Sequence, residues 1–102
     1  MKIAAIAAIG LAGALAAETA ASAYVYGDYT AGGVRIRTGP STGYTAVGAG
    51  YPGQHLYDYC YVVGQTINGN VFWDYHKNAA TGVTGYSSEY YLTSGSSQYT
   101  HC

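Results

Sequence analysis

The chain is 102 residues long, with a formal net charge of −1 and only 9% charged residues. So few cations exclude a basic patch able to neutralise nucleic-acid phosphates. An aromatic content of 15%, with 13 tyrosines, excludes a chain too polar to fold.

The N-terminus reads as a segment made to be removed. Lys2 is a minimal positive start, Ile3 to Ala17 is an Ala/Ile/Leu run, and Ala21-Ser22-Ala23 is a small-residue cleavage site. Glu18 ends the apolar run before it reaches membrane-spanning length. Residues 1–23 are expected to be a signal peptide. Its removal leaves a secreted, extracellular chain with no membrane segment, and no Cys follows the run to carry a lipid.

The mature chain carries Arg35, Arg37 and Lys77 against Asp28, Asp58, Asp74 and Glu89. All 13 Tyr and 13 of the 15 Gly lie in it, a composition of strands separated by glycine turns. Cys60 and Cys102 are both in this part. In an oxidising compartment they are most simply one disulfide, worth about 4 kcal/mol on the chain-entropy account. The alternative, a metal held by His101 and Cys102, lacks the paired spacing of zinc sites.

Residues 24–32 form a Tyr-rich leader, expected to be ordered only where it lies against the body. Val34-Arg35-Ile36-Arg37 then alternates apolar and charged residues, which predicts a strand with Val34 and Ile36 inward. Gly39-Pro40-Ser41-Thr42-Gly43 is built from turn formers and delivers an exposed Tyr44. Thr45-Ala46-Val47 is a brief extended piece, and Tyr51-Pro52-Gly53 is a second turn. His55 to Val63 is the strongest strand. With Leu56 and Cys60 inward, Asp58 joins them and Tyr57, Tyr59 and Tyr61 face out; a bulge in this run would reverse part of that pattern.

Asn68-Gly69 predicts a type I′ hairpin joining Gln65-Thr66-Ile67 to the run from Asn70 to Tyr75. Val83-Thr84-Gly85-Tyr86 is a further extended piece, followed by room for one 3₁₀ turn over 87–91. Residues 94–102 are a Ser/Gly-rich tail, held by the disulfide. The pattern is all-β, a small barrel or sandwich of short strands.

These motifs resemble the bacterial SH3-like (SH3b) domains of secreted cell-wall proteins, particularly small exported actinobacterial members. Val34 to Tyr44 is similar to the family's "VRxGPSTxY" opening, Tyr51-Pro52-Gly53 to its turn, and Trp73 to its central strand tryptophan. Gly82-Val83, Gly85-Tyr86 and Tyr90-Tyr91-Leu92 are similar to its closing element. The likeness covers residues 33–93. It implies a small SH3-like β-barrel of about five short strands and a wall-associated or extracellular binding role. Asp58 departs from it, standing where the family usually carries an apolar residue.

Catalysis is not expected. Gly39-Pro40-Ser41-Thr42-Gly43 matches G-x-S-x-G, but a nucleophile elbow needs a strand-turn-helix context in a large α/β sheet. His55, His76 and His101 have no paired spacing, and the four acids are scattered rather than facing each other across a cleft. Neither a cofactor nor a metal is expected. The aromatic side chains are the better clue, because exposed Tyr and Trp rings suit weak recognition of sugars or extended peptides. A binding groove is therefore expected from Tyr44, Tyr57, Tyr59, Trp73 and Tyr75, with Arg35 or Arg37 meeting carboxylates. Trp73 also fits the core. The expected ligand is cell-wall peptidoglycan or an extended peptide; the alternative is a secreted protein partner, as for an inhibitor of an extracellular enzyme.

Overall fold

The computed structural model describes residues 23–102. The expected signal peptide, residues 1–23, lies outside the described residues apart from Ala23. The described residues are all-β: one six-stranded antiparallel sheet, curled into a half-barrel. In chain order the strands are β1 (Val25–Gly27), β2 (Val34–Arg37), β3 (Ala46–Gly50), β4 (Leu56–Ile67), β5 (Asn70–Asn78) and β6 (Thr84–Ser88). Across the sheet they run β1-β4-β5-β6-β2-β3. Two single 3₁₀ turns follow, Glu89–Tyr91 and Ser96–Gln98.

Six strands replace the five or so expected, and the added one is β1. It pairs with β4 through Val25↔Asp58, Tyr26↔Tyr57 and Gly27↔Leu56. The leader is thus part of the fold, and its Tyr29 is among the most buried side chains. Tyr29 packs with Val34, Leu56 and Leu92, and an isolated bridge between Tyr29 and Leu92 ties the two ends of the domain together. Each such side chain contributes about 1.5–3 kcal/mol by leaving water.

The alternation in β2 is as its sequence predicts. Val34 and Ile36 are buried while Arg35 is exposed. The β4–β5 hairpin turns at Asn68 and Gly69, both at positive φ (49° and 86°), with Ile67 opposite Asn70. This one hairpin absorbs the two separate pieces expected at 55–63 and 65–67 into a twelve-residue β4.

The parity of β4 changes along its length. Asp58 opposes His76, but Cys60 opposes Tyr75, so Tyr59 is the extra residue of a bulge. Before the bulge, Leu56 and Asp58 face the core. After it, Cys60 sits on the side of Tyr57 and Tyr75, not on the side of Leu56 as the strict alternation predicts. The physical reason is that one unpaired residue shifts the period-2 pattern to the other face.

The disulfide joins Cys60 to Cys102, which leaves no sulfur for the alternative metal site at His101 and Cys102. Beyond β1, the edge of β4 is covered by the tail: Tyr61 N–H donates to Thr100 O, and Cys102 N–H donates to Tyr61 O, both at 2.9 Å.

Candidate functional site

The turn at 39–43 owes its position to Gln65 on β4. Gln65 N–H donates to Pro40 O (3.1 Å), and Gln65 Oε1 accepts from both the N–H and the hydroxyl of Thr42 (2.8 and 2.9 Å). Gln65 O accepts from the indole N–H of Trp73 at 2.8 Å. Pro40 can come this close only because Gly64 has no side chain; a Cβ there would run into Pro40 O. One glutamine therefore holds both the turn and the tryptophan.

Between this turn, β2 and the 3₁₀ turn Glu89–Tyr91 lies a groove of about 320 Å³. Val34, Ile67, Trp73 and Tyr91 supply apolar wall, and Arg35 and Arg37 supply charge. Trp73 is only 2% exposed, so it is both core and lining. Arg37 is partly committed: its Nη1 donates to the carbonyls of Thr42 (3.3 Å) and Tyr44 (3.0 Å). Among the described residues Arg35 has no such tie. Among the described residues neither guanidinium pairs with a carboxylate, since the one acid–base contact is His55 with Asp28.

Of the seven residues expected at a binding groove, Arg35, Arg37 and Trp73 come together here, and the four tyrosines lie elsewhere. Tyr44 folds back over Gly39, where its ring occupies the space a Cβ would take. Tyr57 joins Tyr24 and Tyr26 near β1 (centroids 5.0 and 5.6 Å away). Tyr59 and Tyr75 form another group with Tyr86. Ile67 and Tyr91 were missed as groove residues because only tertiary packing brings a hairpin end and a 3₁₀ turn to β2.

The opposite side of β5 carries a second polar assembly. Asp74, His76 and Asn78 share a face, as every second residue of a strand must, and all three are fully buried. His76 Nδ1 lies 3.1 Å from the carbonyl of Asp74, and Nε2 lies 3.1 Å from the Tyr29 hydroxyl. A carbonyl only accepts, so the ring proton sits on Nδ1 and Nε2 accepts from Tyr29. Burial lowers the His76 pKa, which keeps the ring neutral. Burial also pushes the Tyr29 phenol up to about 12.

Asp58 and Glu89 converge on Asp74. Burial, then the neighbouring Asp58, then Glu89 raise the Asp74 pKa to about 10, so this carboxyl holds its proton at neutral pH. The remaining oxygens are met from the tail: the Ser94 hydroxyl donates to Asp58 Oδ2, and the Ser97 hydroxyl donates to Glu89 Oε2 at 2.7 Å. Among the described residues no set of three His, Cys, Asp or Glu side chains is arranged to hold a metal ion.

Asp28 behaves in the opposite way. Burial works against its charge, but N–H groups of Gly53, Tyr29 and His55 outweigh that and hold its pKa below the ordinary value. Its contact with His55 fixes a residue at φ 64°, stacked on Tyr26 with ring planes 18° apart.

Comparison with protein-family models, with curated proteins and with solved structures found no match.

Proposed function

We propose that this domain is a secreted, non-catalytic binding module of SH3b type that holds an extended, carboxylate-bearing peptide. The target class is the peptide portion of cell-wall peptidoglycan, whose free carboxylates suit an arginine-rimmed groove. The observation that carries the reading is the pair Arg35 and Arg37 beside Trp73, with no acid of the domain neutralising either. Guanidinium groups meet carboxylates with two parallel hydrogen bonds, and the apolar wall takes the intervening side chains. The motif likeness over residues 33–93 points to the same ligand class.

Co-sedimentation of the mature protein with purified sacculi tests the reading. Retention is expected, and Arg35→Glu should reduce it at least tenfold. No retention above that of an unrelated secreted domain would sink it. Capture of one stoichiometric protein from culture supernatant, with no retention on sacculi, would favour the inhibitor alternative.

A further inference from the structure

Around Asp74 lie more buried oxygens than the domain has donors for. Among the described residues both carboxyl oxygens of Asp74, Oδ1 of Asp58 and Oε1 of Glu89 have no protein partner outside the acids themselves. Three carboxyls cannot share such a place as three anions, because each charge is desolvated and repels the others. They can share it while Asp74 stays protonated and donates to a neighbouring carboxylate. No Lys or Arg pairs with any of them among the described residues.

The groups facing Asp74 are Asp58 and Tyr61 from β4, Ser87 from β6 and Glu89 from its turn, with the tail hydroxyls of Ser94 and Ser97 on Asp58 and Glu89. The neutral His76 stands beside it on β5.

The roof of this cluster is the tail. Ser94 fastens to Asp58 and Ser97 to Glu89, with Gly95 between them at φ 60°. Ser96 is 1% exposed. Tyr99 and Thr100 wall a cleft of about 190 Å³ whose lining also includes Asp58 and Tyr59. The far end is pinned by Cys60–Cys102. What can move is the chain between the two anchors.

We propose that residues 94–101 form a proton-set latch, closed while Asp74 keeps its proton between Asp58 and Glu89 and opened when Asp74 ionises. An ionised Asp74 needs water, and the cover over it is a short tail carried by the Ser94 and Ser97 hydroxyls, two backbone bonds at Tyr61 and the disulfide. Because Asp74 binds its proton more tightly closed than open, closure is favoured in acid. It weakens as pH rises above the ordinary carboxylate value, by up to tenfold in the opening constant per pH unit.

Amide hydrogen exchange on the disulfide-intact mature protein tests this between pH 5 and pH 9, with intrinsic rates divided out. The reporters are the N–H groups of Tyr99, Thr100 and Cys102, which donate to Ser96 O and Tyr61 O. Their protection factors should fall several-fold to tenfold per pH unit, while those of the β4–β5 ladder hold. Asp74→Asn, which keeps the shape and removes the titration, should flatten the tail's profile. Glu89→Gln is the fallback if that variant does not fold, and should flatten it partly. Tail protection independent of pH, or tail and ladder weakening in step, would overturn the latch.

Discussion

Trp73 and Asp74 are consecutive residues of one strand, equally hidden from water, and they serve two regions built on opposite terms. Trp73 backs a groove whose charges, Arg35 and Arg37, have no carboxylate partner among the described residues. Asp74 sits in a closed assembly where three carboxyls have only each other and a few hydroxyls. The groove leaves its electrostatic need open at the surface, where a ligand can answer it. The acid assembly must answer its own need, with protons. A strand with side chains alternating between two faces keeps these two solutions one residue apart.

The largest separation of the two regions should come from Trp73→Ala. Loss of that packing and of the hydrogen bond to Gln65 is expected to cost about 3–5 kcal/mol in denaturant unfolding, with Trp73→Phe much milder. Removing the cross-link by Cys60→Ser with Cys102→Ser comes next, at about 4 kcal/mol for a bond spanning 42 residues, less any native strain it relieves. That is the contribution of one or two buried core side chains. Its loss should loosen the tail and the acid assembly well before the groove, as seen by exchange at Tyr99 and Thr100.

Gly64→Ala should be smaller, about 1–3 kcal/mol, because a methyl group drives Pro40 off β4. It should damage the groove while leaving the tail's pH profile intact. Arg35→Ala should change stability by less than about 0.5 kcal/mol yet weaken ligand retention. Should it alter the pH dependence of the tail, the two regions are coupled and the contrast between them fails.

The smallest effect concerns acid. Asp28 has a lowered pKa in the fold, so its contribution is present above the ordinary carboxylate value and lost as pH falls. Asp74 has the opposite sign. Asp28→Asn should therefore lower the melting temperature at neutral and alkaline pH by a constant amount and shrink the further loss at low pH, which a melting series against pH would read.

Much of the fold was legible because its signals are local. Val34-Arg35-Ile36-Arg37 states its own buried face, and Asn68-Gly69 states its own turn. The site was half legible. Arg35, Arg37 and Trp73 were recognisable as candidates one at a time, but no period in the sequence brings Tyr91 and Ile67 beside them. The tyrosines misled because ring chemistry says nothing of direction: a single bulge at Tyr59 and a fold-back at Tyr44 took them to other surfaces. The acid assembly left one trace, Asp58 in phase with Leu56 on a strand whose neighbours of that phase are buried. Its partners come from three other segments, and that convergence is a property of the curled sheet with the turn and tail laid against it.

The tail's pairing with β4 at Tyr61 has one more consequence. Cys60-Tyr61-Val62-Val63 is an uncharged run of good strand formers, and β1 covers β4 only as far as Asp58. Without the tail, the N–H and C=O groups of that run would stand open to any extended chain, including another copy of itself. The Cys60–Cys102 bond is thus also a guard against self-association. A reduced population should reveal this by fibrillar aggregates appearing at concentrations where the oxidised protein stays monomeric.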